Sequence, residues 1–360
     1  MRLAELRIEN VRNLASVQME LAPAVNLFIG GNGAGKTSVL EAAYLLSHGR
    51  SFRSGRQETL MRLGQPQLSV FARVIQSTGA ERRVGMERTS GGWSARIDGR
   101  GADGLIDVLR EVAVVCFEPG SHDLIAGPGD GRRRFLDWGV FHVEPEFGTV
   151  ARRYRRALKQ RNALLRAGAA AGEFRPWDQE LVNFAEQLHS WRLSYVERWT
   201  SALAGMLGRF LPELGEVAVS YRSGWASGHD LAAVLQERLE RDRARGHTGS
   251  GPHRADWSIS FENAPQREHL SRGQEKLCAL ACALSQAELF ATLRGEWPVV
   301  CLDDLASELD REHQAAVLAW LGSLDAQVLI TGTDVPAILD NPAARARTFH
   351  VEQGQVTTLL

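Results

Sequence analysis

The sequence predicts an α/β fold, a mixed sheet with an antiparallel β meander, interrupted by an inserted, mainly α-helical domain. Three observations carry that prediction. The apolar run Val25-Asn26-Leu27-Phe28-Ile29 leads into Gly30-Gly31-Asn32-Gly33-Ala34-Gly35-Lys36-Thr37-Ser38, and residues 39–46 then space their apolar positions as a helix does. A second apolar run, Val299-Val300-Cys301-Leu302, ends directly in Asp303-Asp304. Between the two, from about residue 120, the texture changes to long stretches of helical periodicity.

The first stretch has the order strand, glycine loop, helix. Gly30 and Gly35 enclose four residues and precede Lys36-Thr37, the P-loop pattern, in which backbone N–H groups and the positive end of a new helix hold phosphates. Lys36 is then expected to reach the β- and γ-phosphates and the Thr37 hydroxyl to coordinate Mg²⁺. A dinucleotide fingerprint beginning at Gly31 fails, because its third glycine would fall on Lys36.

Composition limits the alternatives. The chain has 360 residues, 44% hydrophobic and 24% charged, with a formal net charge of −1, so a nucleic-acid surface has to be local. No apolar run is long enough to cross a bilayer and the start does not read as a secretory signal, so the expected compartment is the cytoplasm. Cys116, Cys278, Cys282 and Cys301 lie in apolar runs and read as buried thiols in a reducing environment. No histidine or carboxylate pattern joins Cys278 and Cys282 into a metal site.

Taken in order, residues 3–11 and 17–29 read as strands feeding the loop. Arg50-Ser51-Phe52-Arg53-Ser54-Gly55-Arg56 is either a solvated loop or a segment that turns an arginine, Arg53 by preference, back toward the phosphates. Residues 68–97 alternate as β-strands with turn signals at Thr78-Gly79 and Ser90-Gly91-Gly92, which makes an antiparallel meander. Residues 112–117 form a buried strand that Glu118-Pro119-Gly120 ends. The expected division is a head of residues 1–119 and 246–360 with an inserted helical arm at 120–245.

Within the arm, ten Arg or Lys between residues 132 and 166 stand against three carboxylates, a local balance of +7. Arg132, Arg133, Arg134, Arg152, Arg153, Arg155, Arg156 and Lys159 are the expected contacts if the chain holds a nucleic-acid backbone. Trp177, Leu181, Phe184, Leu188, Trp191, Tyr195 and Trp199 recur at a helix-packing period, so this aromatic stripe reads as core and not as a base-stacking platform. An Ala/Gly-rich bend at 167–172 lets the two helical segments fold into a hairpin. Residues 217–221 read as a return strand, and Leu231, Leu235 and Leu239 mark a further amphipathic helix. The loop ending in Pro252-His253-Arg254-Ala255-Asp256 is either a hinge or part of a site.

A buried strand delivering a carboxylate at its end is how P-loop proteins hold Mg²⁺, so Asp303 is the expected metal-side ligand. Asp304 is the residue placed to orient or deprotonate an attacking water. Upstream, Leu270-Ser271-Arg272-Gly273-Gln274 opens a helix; Ser271 with Gln274 fits a capping box, and a helix start rich in small residues is also an anion site.

These segments resemble the ATP-binding-cassette superfamily. Leu-Ser-x-Gly-Gln at 270–274, Asp303-Asp304 and Ser307-Glu308-Leu309-Asp310 are similar to its signature, metal motif and D-loop. Within it the chain resembles the RecF family of bacterial recombination mediators, and the heads of Rad50 and SMC proteins. That resemblance spans the P-loop, residues 50–53, residues 127–137, Gly251-Pro252-His253-Arg254, the signature and Ile330-Thr331-Gly332-Thr333-Asp334. It implies an ABC-type ATPase head that binds ATP and Mg²⁺ in a homodimer, the P-loop of one copy against Ser271, Gly273 and Gln274 of the other. It further implies weak DNA-dependent ATP hydrolysis, DNA binding without base reading, recombinase loading at gaps or junctions in DNA replication, repair and the SOS response, and RecR as partner. Asp304 stands where cassette transporters carry glutamate, which points to slow hydrolysis. Glu118 and Thr333 or Asp334 occupy the regions of a metal-contacting glutamine and a sensing histidine. The alternative, a nucleotide-binding subunit of a membrane transporter, requires a signature about a hundred residues after the P-loop; Ser271 lies 235 residues beyond Lys36. A complete Rad50 or SMC protein requires a far longer coiled coil.

Overall fold

Alternating burial along Arg2–Val11 (β1) and Leu14–Glu20 (β2) marks a hairpin with one face on a core, and Arg12-Asn13 form its turn. The computed structural model describes residues 1–53, 57–335 and 346–359. Val25–Ile29 (β3) feeds the glycine loop and Lys36–His48 (α1). Leu68–Ile75 (β4), Glu81–Thr89 (β5) and Gly92–Ile97 (β6) form the expected meander, extended by Arg100–Gly101 (β7). The meander joins the first hairpin in a sheet of order β2-β1-β4-β5-β6-β7. Leu105–Glu111 (α2) and Val114–Phe117 (β8) follow.

The chain then forms a second compact unit, Asp123–Ser271, and returns to the first at Arg272. The unit begins with Asp123–Ala126 (α3) and Gly129–Val143 (α4). Phe147–Ala167 (α5) and Ala171–Phe210 (α6) pack as the expected hairpin, joined by residues 168–170 with Gly168 left-handed at the C-cap of α5. At 1.5 Å per residue the 40-residue α6 is about 60 Å long, and it starts six residues, nearly two turns, before its aromatic period does. Leu181, Leu188, Tyr195 and Trp199 of the stripe are buried, and Trp177, Phe184 and Trp191 half-buried. Val217–Arg222 (β9) is the return strand. The further helix is two short ones, Leu231–Glu237 (α7) and Leu239–Arg245 (α8).

The second crossing differs from the expectation of residue 245/246. Asp256–Phe261 (β10) pairs antiparallel with β9 in register Asp256↔Arg222, so residues 246–271 belong to the arm. Trp257 packs edge-on to Trp199 at 4.9 Å, and both are buried. The 248–256 loop is therefore interior to the arm and not a hinge.

Back in the first unit, Arg272–Arg294 (α9) leads to Val299–Leu302 (β11), Leu305–Glu308 (α10), Arg311–Gly322 (α11), Val328–Gly332 (β12), Arg347–Glu352 (β13) and Gln355–Leu359 (β14). Among the described residues α9 alone is long and apolar enough to cross a membrane, and it is mostly buried, as a core helix is. Cys278 and Cys282 lie on its buried face. The second sheet has order β14-β13-β3-β12-β11-β8, with β13, β3, β12, β11 and β8 parallel. All four residues of β11 are buried, as a central parallel strand requires. With Ile29 opposite Gly332 and Leu302 opposite Ile330, β3, β12 and β11 end at one sheet edge, where open α/β sheets bind ligands.

Candidate functional site

Glycine is required in the loop at two points of close approach. Gly30 has φ 159°, and a Cβ there would lie 2.1 Å from the Val351 carbonyl oxygen. Gly35, at φ 121°, precedes α1 with Leu14 and Asn13 against it. Asn13 Nδ2 donates to the carbonyls of Gly33 and Ala34, both at 3.1 Å, and Gly354 N–H donates to the Ala34 carbonyl at 2.8 Å. The loop's carbonyls are thus tied into the fold, and the first N–H groups of α1 carry the partial positive charge that anions seek. A cavity of about 320 Å³ opens here, lined by residues 32–38 with Arg12, Asn13, Arg53, Asp304 and Thr331. Gly30 and Gly31 stand behind it, and their carbonyls accept from Lys36 Nζ at 2.7 and 2.9 Å.

Asp303 lies at the end of β11, nearly buried. Its Oδ1 accepts from Thr37 Oγ1 at 2.8 Å and from Thr331 Oγ1 at 2.7 Å. Burial pushes its carboxyl above the ordinary value, against the lowering effect of the two hydroxyls and of the Arg53 charge. A hydroxyl and a buried carboxylate in contact are the hard oxygen donors that Mg²⁺ takes at a P-loop, so Thr37 and Asp303 fit that ion. Asp304 has φ 52° and ψ 43°, a left-handed conformation uncommon for a residue with a side chain. Its N–H donates to Thr331 Oγ1 at 2.8 Å.

Sequence reasoning missed Arg12, Asn13 and the role of Thr331. The polar Arg12-Asn13 pair between two alternating strands is a hairpin-turn signal, but only the fold brings that turn to the P-loop. Thr331 is a hydroxyl at the end of an otherwise apolar strand, a signal that stays weak until β12 is known to lie between β3 and β11. Arg53 lines the cavity, Arg50 lies outside its lining, and Arg56 lies outside the described residues. Glu118 Oε2 accepts from Gly120 N–H at 2.6 Å, and Thr333 Oγ1 donates to Asp334 at 3.1 Å; none of the three lines the cavity.

Ser271 and Gly273 are exposed, and Gln274 half-buried, at the start of α9. Lys276, one turn on, pairs with Glu308 at 2.9 Å, joining α9 to the segment after Asp304. Asp310 accepts from the N–H of His313 at 2.9 Å and so caps α11.

The arm sorts the predicted DNA contacts. Arg132 is held by Asp256, Nε to Oδ1 at 2.7 Å and Nη2 to Oδ2 at 3.0 Å, and also donates to the Gly127 carbonyl. Burial raises the Asp256 carboxyl, but the hydrogen bonds and charge of Arg132 outweigh it, leaving the carboxyl below its ordinary value. Arg133 donates to the Ala255 carbonyl at 2.7 Å and pairs with Asp130. These two side chains anchor α4 to the start of β10, a correction to their place among the backbone contacts. Arg161, counted in the local charge, is fully buried against Asp178, Asp242 and Thr248.

Arg152, Arg155, Arg156 and Lys159 are exposed and, at 100° per residue, share an arc of about 100° on α5, opposite Val150, Tyr154, Ala157 and Leu165. No carboxylate interrupts α5. Arg153 is exposed beside this stripe, 5.8 Å over the Phe184 ring, and Arg134 is exposed on α4.

Comparison with known proteins agrees with this geometry. Residues 2–357 match the family model described as the RecF/RecN/SMC N terminal domain. The DNA replication and repair protein RecF of Xanthomonas axonopodis pv. citri (strain 306) is 49% identical over 99% of this chain and 98% of its own. That of Stenotrophomonas maltophilia (strain R551-3) is 46% identical over 100% of both. A solved structure of the recombination mediator protein RecF with ATP superposes with a TM-score of 0.90 at 26% identity, over 99% of this chain and 97% of the other. An SMC head bound to the C-winged helix domain of ScpA shares the fold, with a TM-score of 0.60 at 13% identity over 100% and 98%. With an ABC-type ATPase head, a complete P-loop and that likeness over nearly its whole length, the chain belongs to the RecF family.

Proposed function

We propose that this protein is an ATP-dependent DNA-binding protein of recombinational DNA repair, acting in the cytoplasm as a switch that dimerises on ATP. The observation that carries the reading is the register of β3, β12 and β11, which sets the P-loop, Thr331 and Asp304 around one cavity, with Asp303 bonded to Thr37 and Thr331 of its lining. The names of the relatives and the ATP in the solved RecF structure support it.

In this reading the loop amides, Lys36 and Arg53 hold the phosphates. Thr37 and Asp303 hold Mg²⁺, which when bound neutralises phosphate charge. Ser271, Gly273 and Gln274 of a second copy complete the pocket, and Asp304 orients or deprotonates the water that attacks the γ-phosphorus. Cleavage to ADP and inorganic phosphate removes the group both copies share, and the interface opens. A shorter carboxylate than glutamate fits a slow, DNA-dependent turnover.

DNA is held by phosphate contacts from Arg152, Arg153, Arg155, Arg156 and Lys159 of α5 and from Arg134 of α4. Loading of recombinase at gaps or junctions, with RecR as partner, follows from the family alone. The transporter alternative draws no support, since 235 residues separate Lys36 from Ser271 and the helical arm lies among them. Light scattering with and without ATP, combined with DNA binding across a salt series, tests the reading. Neutralising about five phosphates gives a log–log slope of roughly −4.5. A slope near zero, or a monomer at saturating ATP, would refute it.

A further inference from the structure

One wall of the phosphate cavity is organised by a carboxylate that never touches it. Glu41, on α1, is fully buried. It receives Arg12 through two bonds, Nε to Oε2 at 2.9 Å and Nη2 to Oε1 at 2.7 Å. Glu41 Oε1 also accepts from the Ser51 hydroxyl, and Ser51 Oγ in turn accepts the backbone N–H of Arg53 at 2.9 Å. Both arginines at the two ends of this relay line the cavity.

The two ends differ in what they offer a ligand. Arg12 Nη1 donates to the Thr59 carbonyl and hydroxyl at 2.7 and 2.9 Å, so its fork is committed to Glu41 and Thr59 and it serves as wall and anchor. Among the described residues the Arg53 guanidinium has no hydrogen-bond partner, and its charge reaches Asp303. A long exposed side chain loses rotamer entropy when a ligand immobilises it, so a fixed backbone matters. That backbone is fixed three times. Gly49 closes α1 in the left-handed conformation, Phe52 packs edge-on to Tyr44 at 5.2 Å, and Ser51 ties the chain to Glu41. A buried carboxylate is costly unless fully paired, and an apolar residue would fill the same place on α1 without that cost.

We infer that Glu41 and Ser51 are positioning residues that aim Arg53 at the phosphate chain of a bound nucleoside triphosphate, with Arg12 as the clamp holding Glu41 in place. The inference rests on the nucleotide reading of the cavity.

The test is titration of the full chain with Mg²⁺ and a non-hydrolysable ATP analogue. Ser51→Ala is expected to weaken binding by roughly three- to tenfold, to be restored by Ser51→Thr, and to have no further effect in an Arg53→Ala background. Glu41→Gln, which releases both arginines, is expected to weaken binding more. An unchanged affinity for Ser51→Ala, or losses for Ser51→Ala and Arg53→Ala that multiply, would overturn the relay. Lys36→Met separates the two failures. If it abolishes binding while Ser51→Ala changes nothing, only the positioning role is wrong. If Lys36→Met binds as tightly as the parent, the nucleotide reading falls and takes the relay with it.

Discussion

Thr331 Oγ1 stands between two neighbouring aspartates, accepting the N–H of Asp304 at 2.8 Å and donating to Asp303 Oδ1 at 2.7 Å. One hydroxyl on β12 thus fixes both the metal-side carboxylate and the backbone of the residue proposed to handle water.

Thr331→Val keeps the shape and removes both bonds. It is expected to cost about 1–3 kcal/mol of stability, because an N–H and a buried carboxylate oxygen lose a partner. It is also expected to slow ATP hydrolysis by roughly a hundredfold, as small misplacements of reacting groups do. The nucleotide itself, held by the P-loop, binds within about threefold. Paired titration and turnover measurements check this, and equal losses in both would place Thr331 in binding instead.

Asp304 sits at φ 52°, a conformation that Asn tolerates and Ala does not. Asp304→Asn is expected to melt like the parent and to lose hydrolysis, whereas Asp304→Ala loses hydrolysis and about 1 kcal/mol besides. Hydrolysis at the parental rate by Asp304→Asn would remove this residue from the chemistry.

Lys276 and Glu308 join the helix after Ser271 to the segment after Asp304 at 2.9 Å. The pair is partly exposed, so its stability contribution is at most about 1 kcal/mol. Its expected effect is on assembly: Lys276→Glu impairs ATP-dependent dimer formation, and adding Glu308→Lys restores it. Sedimentation of the parent and the two variants with ATP reads this out, and a double variant as defective as the single one would show that the pair has no such role.

The arm carries a pH dependence of its own. His253 Nδ1 lies 2.6 Å from the Tyr154 hydroxyl and Nε2 lies 3.0 Å from the Thr248 carbonyl. Burial, together with the Arg254 and Arg133 charges and against the Thr248 bond and the Asp242 charge, holds its pKa down to about 4. The unfolded chain binds a proton below about 6.5 that the folded chain refuses until about 4, so stability is complete above about 6.5 and falls with acidification through that window. Across it the loss is of order 3 kcal/mol, and His253→Gln is expected to flatten it. Urea midpoints at pH 7.5 and 5 compare the two; equal pH slopes would acquit His253.

How far the sequence carried depends on the kind of contact. The P-loop, the meander, the buried strand ending in Asp303-Asp304 and the helical hairpin are local patterns, and each lies where its periodicity places it. Arg12, Asn13 and Thr331 became visible only with strand order, since they meet the loop through β1–β2 and β12. Charge counting failed for Arg132, Arg133 and Arg161 because a count does not register that Asp256, Asp130, Asp178 and Asp242 fold back onto them. Periodicity along α5 separates the exposed stripe from buried Arg161, and it was the better guide. The arm's end was misplaced because β10 pairs with β9 across 33 intervening residues, a contact no local pattern announces.

The proposed two-copy site makes its sharpest prediction about two inactive proteins mixed together. Lys36→Met is expected to lose ATP-driven dimerisation by disabling the P-loop, and Ser271→Arg to lose it while the monomer still binds nucleotide. A mixed dimer of the two holds one intact pocket, with the P-loop of the Ser271→Arg copy and the signature of the Lys36→Met copy. Measuring ATP hydrolysis of the mixture against each variant alone should therefore show activity that neither has by itself. A mixture as inactive as its components, with both variants folded, would mean that one chain encloses its own nucleotide.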